Sequence, residues 1–112
     1  FEDLYCFENV GSRWSYKNKI IPLSKSVHLK YLKGNKSEYK KYIKLYRGTA
    51  HKNLYSILRF ENLFRLIKNE VKVSNILIAK KIDNKFVILD GLHRSSIYYY
   101  LGIMHKQFYI YE

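Results

Sequence analysis

The feature of the sequence that most constrains the fold is an abrupt junction near the C-terminus. An apolar run at residues 85–89 ends in Asp90-Gly91, and a helical pattern follows at once. Glycine permits backbone angles that other residues adopt only with strain, so the chain can turn tightly from a strand into a helix here. We predict a strand over 85–89, a turn at Gly91, and a helix over 95–101 that ends at Gly102.

The rest of the chain carries the apolar patterns of both helices and strands. Asp83-Asn84, just before the junction, is typical of the turn in a hairpin. Apolar residues recur on one helical face at 39, 42, 43 and 46, and the same spacing repeats at 60, 63, 64 and 67. The other predicted elements are a strand over 19–23, helices over 35–48, 54–58 and 60–67, and strands over 75–80 and 107–111. This order predicts an α+β domain with a small mixed β-sheet.

The chain of 112 residues suffices for one compact domain. We expect residues 1–16 to be an N-terminal arm or the tail of a missing upstream segment, and residues 17–112 to form the domain. No stretch approaches the ~20 apolar residues of a membrane helix, and Cys6 is the only cysteine. We therefore expect a cytoplasmic protein with no membrane partner and no internal disulfide.

The formal net charge of +12 is concentrated in residues 17–52, which contain eleven lysine or arginine residues and one acid, Glu38. Such a basic segment is typical of proteins that bind nucleic acid or another polyanion. The same excess can arise without selection for binding, because 16 of the 21 basic residues are lysine and an AT-rich genome favours lysine codons. Both interpretations stay open, and the oligomeric state is not predicted.

The junction carries the candidate binding residues. The amides at the start of a helix point out of its end, and together with the helix dipole they favour an anion such as phosphate. Gly91 would let a ligand approach the backbone closely. His93 and Arg94 would add side-chain donors, and Ser95 and Ser96 are small enough to donate without blocking access.

Each of these residues also has an ordinary structural interpretation. Asp90 can cap the helix, His93 can lie at the surface, and Arg94 can pair with a nearby acid. A metal site based on histidine is not predicted, because the four histidines lack the spacing of metal ligands. They are His28, His51, His93 and His105.

The segment Asp90-Gly-Leu-His-Arg94 resembles the loop of the ParB/sulfiredoxin-like superfamily. The likeness extends over residues 57–112 and, weakly, over 19–26 as a first strand. It implies a ParB-like fold and a nucleotide bound at the loop. The loop is similar to the Asp-Gly-His-His-Arg loop of the ParB-like free-serine kinases and differs from it only at Leu92.

Other branches of that superfamily fit less well. Sulfiredoxins have a reactive cysteine where this chain has Leu92. Partition proteins carry an arginine-rich Gly-Glu-Arg-Arg loop and a following helix-turn-helix domain. The catalytic glutamate of the kinases follows the first strand, whereas this chain has no acid between Glu8 and Glu38. Asp90 is then the best remaining candidate for a catalytic base.

These observations predict a nucleotide-dependent phosphotransferase or phosphohydrolase that acts on a small metabolite. ATP, ADP or CTP would be the nucleotide, and Asp90 would polarise a hydroxyl or hold Mg²⁺. Two alternatives stay open. One is a DNA-binding module of partition or nuclease type that uses residues 17–52, and the other is a non-catalytic nucleotide-sensing domain of a larger protein.

Overall fold

The structure is a computed structural model that describes residues 4–8, 19–47, 50–73, 76–103 and 106–111, with the side chains of 8 and 44–56 outside that description. It confirms an α+β domain with a mixed sheet. The strands are β1 (Leu4–Glu8), β2 (Lys19–Pro22), β3 (Ile78–Ile82), β4 (Lys85–Asp90) and β5 (Tyr109–Tyr111). The helices are α1 (Val27–Leu32), α2 (Ser37–Arg47), α3 (Ala50–Lys68) and α4 (Leu92–Leu101), and a 3₁₀ turn (Leu23–Lys25) precedes α1.

The five strands lie in the order β2-β1-β4-β3-β5. Strand β1 runs parallel to β4, and β3 runs parallel to β5, while the other neighbours are antiparallel. The predicted strand at residues 19–23 is β2, at one edge of the sheet. Pro22 is tolerated there because an edge strand does not require every residue to donate a hydrogen bond to a neighbour, and proline has no N–H to donate.

The expected N-terminal arm needs a correction at Leu4–Glu8. These residues form β1, an interior strand that pairs with β2 on one side and with β4 on the other. Pairing on both sides satisfies the backbone groups of β1, and Cys6 is buried in the core. The five residues therefore belong to the domain, while the rest of the boundary near residue 17 stays a prediction.

The hairpin between β3 and β4 is confirmed. Asp83 and Asn84 both have positive φ angles, 49° and 64°, as the two-residue turns that suit the twist of a hairpin require. The register shifts between Ile78 and Ala79, so that Ile78 lies opposite Asp90 whereas Ala79 lies opposite Ile88. This bulge places Asp90 at the very end of the ladder, beside the turn into α4.

Helix α4 begins at Leu92, three residues before the predicted start, and the helical layer differs from the prediction in two further places. The two short helices expected at residues 54–58 and 60–67 are one continuous helix, α3. Helix α1 was not predicted, although its N-cap is recognisable because the Ser26 side chain accepts a hydrogen bond from the amide of Leu29 at 3.1 Å. The stripe on α2 is confirmed by the buried side chains of Tyr39 and Ile43. The Tyr46 side chain and Gly48 lie outside the described residues.

The helices cover one face of the sheet. Cys6 of β1 and Ile88 of β4 pack against Leu92 and Tyr99 of α4. A larger core joins the four helices, and its buried members are Tyr31, Tyr39, Ile43, Phe60, Ile67, Leu77, Ile97 and Tyr98. Among the described helices, none combines the length and the apolar character needed to cross a membrane.

Candidate functional site

The junction between β4 and α4 forms as the sequence predicts. Gly91 is the N-cap of α4 and has φ 92° and ψ 24°, in the left-handed region. The Ser95 amide donates to the Gly91 carbonyl at 2.8 Å. The amides of residues 92–94 precede that bond and point toward the helix end. We call this place, made of Asp90, Gly91, Arg94 and the amides of residues 92–94, the mouth of α4.

The Leu77 side chain occupies the space beside the α-carbon of Gly91. A Cβ atom added to Gly91 would lie 2.4 Å from Leu77 Cδ2 and 3.4 Å from Arg94 Nη2. Glycine is thus required both by its φ and by the packing of Leu77. The tight turn predicted at Gly91 is confirmed. The close approach of a ligand to the backbone at Gly91 stays a prediction, while the Leu77 side chain occupies the direction in which a side chain at residue 91 would point.

Arg94 is the predicted side chain that the structure brings to the mouth. Its guanidinium folds back over the turn, and Nη2 lies 3.8 Å from Asp90 Oδ2. That separation exceeds a hydrogen bond, so the pair is a loose ion pair. The Arg94 side chain is 15% exposed and that of Asp90 is 60% exposed. Burial raises the pKa of Tyr98, and the charge of Arg94 opposes that rise.

His93 needs a correction, because its side chain does not face the mouth. Its Nε2 lies 3.1 Å from the hydroxyl of Tyr39 on α2, at hydrogen-bond distance. Its ring also contacts Phe60, with the centroids 4.8 Å apart. Successive residues of an α-helix point about 100° apart, so His93 turns into the helical layer while Arg94 faces the turn.

The serines need the same correction. Ser95 and Ser96 are fully buried, so their hydroxyls are not available to a ligand at the mouth. The Ser96 hydroxyl donates to the Leu92 carbonyl at 2.8 Å, a bond within the helix. The Ser95 hydroxyl has no hydrogen-bond partner among the described residues. Their predicted role as phosphate donors through the side chain therefore does not fit the structure.

A second polar group lies below the mouth and was not predicted. It consists of His28, Tyr39, Tyr42, Phe60 and His93, and we call it the histidine cluster. The rings of His28 and His93 meet edge to face with their centroids 4.4 Å apart, and the His28 ring lies 4.9 Å from that of Tyr42. Its members come from four different helices, so no local pattern in the sequence marks it.

The histidine cluster favours uncharged rings. His28 is completely buried, and its Nε2 has no partner among the described residues. Burial, and secondarily the charge of His93, hold the pKa of His28 well below its ordinary value. At the edge of the cluster the Tyr31 hydroxyl donates to Glu61, and burial together with that carboxylate raises the pKa of Tyr31.

The mouth and the histidine cluster thus offer different chemistry. The mouth combines a guanidinium with a helix N-terminus, a pairing that favours an anion, and Asp90 supplies a carboxylate beside it. In the buried histidine cluster, the Nε2 atom of His28 has no hydrogen-bond partner among the described residues. The part of the chain that the structure describes contains no group of three histidine, cysteine or acidic side chains placed to hold a metal ion.

No protein-family model, curated protein or solved structure matches this chain. The likeness to the ParB/sulfiredoxin-like superfamily therefore rests on the loop motif and its position between β4 and α4.

Proposed function

We propose that the mouth of α4 binds the phosphate group of a nucleotide or of another phosphorylated small molecule, as the loop of a ParB/sulfiredoxin-like domain. The observation that carries this proposal is the Arg94 guanidinium, folded over the turn that opens α4. A phosphate at the mouth would meet this guanidinium and the amides of residues 92–94, and it would compete with Asp90 for Arg94. ATP, ADP and CTP are the ligands to test first.

The expected affinity follows from the small number of donors. Hydrogen bonds to a charged group contribute about 1.5–3 kcal/mol each, and association costs several kcal/mol in lost freedom. Because the side chains of His93, Ser95 and Ser96 do not reach the mouth, Arg94 and the helix-start amides carry the interaction. We expect a Kd of about 10 µM to 1 mM for a nucleotide.

Phosphoryl transfer to a small metabolite is a further step of this proposal. Among the described residues, Asp90 supplies the carboxylate at the mouth, and it would accept a proton from a hydroxyl or hold Mg²⁺ beside the phosphate. Transfer would depend mainly on positioning and on neutralisation of charge by Arg94. Asp90→Asn should abolish turnover of ATP and retain nucleotide binding, whereas a nucleotide sensor would show no turnover in either form. We place this activity in the cytoplasm, where nucleotides are abundant.

Calorimetric titration tests the binding proposal. Wild-type protein should bind at least one of ATP, ADP and CTP, and Arg94→Ala should weaken that binding at least tenfold. Arg65→Ala is the matched control, because Arg65 lies exposed on α3, where it donates to Asn62 at 3.1 Å. Equal affinity of Arg94→Ala and wild type would contradict the proposal.

A DNA-binding module is the second candidate. Within the described part of residues 17–52, the exposed side chains of α2 and the loop before it include Lys33, Lys36, Lys40 and Lys41. Lys30, by contrast, pairs with Glu38 at 2.8 Å. Duplex DNA bound through this surface should dissociate steeply as salt rises. Binding that ignores salt, or no binding at low salt, would remove this candidate.

A further inference from the structure

Within the described residues, both apolar clusters that join helices to the sheet lie on one face of it. Cys6 and Ile88 point toward α4, and side chains alternate along a strand. Their neighbours Tyr5 and Val87 therefore lie on the opposite face. Within the described residues, the side chains of this face that carry charge or an aromatic ring include Tyr5, Lys80, Lys85, Tyr109 and Tyr111. We call this the open face, and none of these five residues belongs to either apolar cluster of the core.

The open face contains a continuous row across four strands. Tyr5 pairs with Val87, and Lys80 pairs with both Val87 and Tyr111. Neighbouring strands lie about 4.8 Å apart, so the row is roughly 14 Å long. Val87, within the row, is buried, and the rings of Tyr5 and Tyr111 lie at its two ends.

Lysines accompany the rings of the open face. The Nζ of Lys80 lies 5.5 Å from the centroid of the Tyr111 ring, and the Nζ of Lys85 lies 5.1 Å from that of Tyr5. Tyr109 and Tyr111 are 69% and 61% exposed. Exposed aromatic rings grouped on one face, rather than scattered singly, are typical of an interaction site. Among the described carboxylates, Asp83 lies in the turn two residues before Lys85, and Asp90 pairs with Ile78, two residues along β3 from Lys80.

We propose that the open face binds single-stranded nucleic acid. Exposed rings on a sheet stack with unpaired bases of any sequence, and neighbouring ammonium groups attract the phosphates between them. The net charge of +12 favours a polyanion as the occupant. A duplex would not fit this use of the rings, because its bases are already stacked on each other. The open face is distinct from the lysines of α2 and from the mouth of α4.

Fluorescence anisotropy with a labelled oligothymidylate and the full chain tests this proposal. Tyr111→Ala and Tyr109→Ala should each weaken binding about five- to 150-fold, the range that loss of one stacking ring produces. Lys80→Ala should lower the slope of log affinity against log salt by about 0.7, as expected for one phosphate contact on a single strand. Two controls, Tyr100→Ala on α4 and Lys72→Ala in the loop after α3, should leave the affinity within about twofold, and Lys41→Ala on α2 should lower it less than Lys80→Ala does.

Competition experiments complete the test. An unlabelled single strand should displace the probe at a lower concentration than a duplex of the same length, and polyglutamate should displace it poorly. Unchanged affinity in both tyrosine variants, with folding verified by circular dichroism, would overturn the proposal. A larger loss in Lys41→Ala than in Lys80→Ala would also overturn it, because the α2 surface would then be the site. Equal displacement by duplex or by polyglutamate would show attraction of charge alone and would overturn it too.

Discussion

The mouth of α4 is open to solvent at Asp90, whereas the histidine cluster, built on the same first turn of that helix, is enclosed by α1, α2 and α3. Arg94 lies at the mouth of α4 and His93 lies in the histidine cluster, although the two residues are adjacent in sequence. The difference shows that adjacent residues of one short motif can lie in different environments, Arg94 at the helix start and His93 within the packed helices. The following predictions separate the two roles.

The largest expected effect is on stability, at Gly91. Gly91→Ala should lower the free energy of unfolding by about 2–4 kcal/mol, because a left-handed alanine is strained and its Cβ would overlap Leu77. Gly102→Ala is the matched control. Gly102 has φ 74° but no heavy atom within 4 Å of its Cβ position, so only about 1 kcal/mol should be lost. Urea denaturation measures both, and equal losses would show that Leu77 does not constrain the turn.

His93→Ala should destabilise the protein by about 2–3 kcal/mol, since it removes packing against Phe60 and the bond to Tyr39. The same variant should keep its nucleotide affinity within about threefold. Arg94→Ala should do the reverse, with a stability change below about 1 kcal/mol and a large loss of affinity. A tenfold loss of affinity in a folded His93→Ala protein would mean that His93 contacts the ligand after all.

A smaller effect should appear as a dependence of stability on pH. The pKa of His28 lies well below 6.5 in the folded protein, so between that value and pH 6.5 the unfolded chain takes up a proton that the folded protein excludes. Stability should therefore fall as pH drops below 6.5, by about 1.4 kcal/mol per pH unit for one proton. Above pH 6.5 this residue should have no effect, because it is neutral in both states.

Urea denaturation across pH 5–7 with His28→Phe as the comparison variant isolates this contribution. Among the described residues, the titratable groups whose rings contact His28 are His93, Tyr39 and Tyr42, and the variant retains all three. The variant should lose less stability on acidification than wild type. Parallel curves for the two proteins would show that His28 takes up its proton as readily in the folded state as in the unfolded one.

The sequence predicted correctly those turns and helix ends that depend only on residues adjacent in the chain. The turn at Asp83-Asn84, the strand-to-helix junction at Gly91 and the helix end at Gly102 follow from residues that are adjacent in sequence. Strand β1 escaped prediction because its place depends on pairing with β4, which is distant in the chain. The apolar pattern also predicted two helices where the structure has one, α3, because each of the two apolar stretches has helical spacing by itself.

The candidate site was predicted in part for the same reason. The sequence locates Asp90, Gly91 and Arg94 at one helix start, and the structure brings these three together. It cannot show that Leu77 fills the space beside Gly91, or that His93 meets His28 of α1 across the helical layer. Those contacts join elements that are far apart in the chain, and only the packing of the helices determines them.

The most direct test of the phosphate site is a two-dimensional NMR titration of the labelled protein with ATP and, separately, with tripolyphosphate, which has no base. The backbone amide signals of residues 92–94 should shift progressively and saturate with both ligands, because both present phosphate to the helix start. In Arg94→Ala the same signals should need at least tenfold more ligand to shift as far. Amides of residues 92–94 that do not respond to either ligand in the wild-type protein would contradict a phosphate site at the mouth of α4.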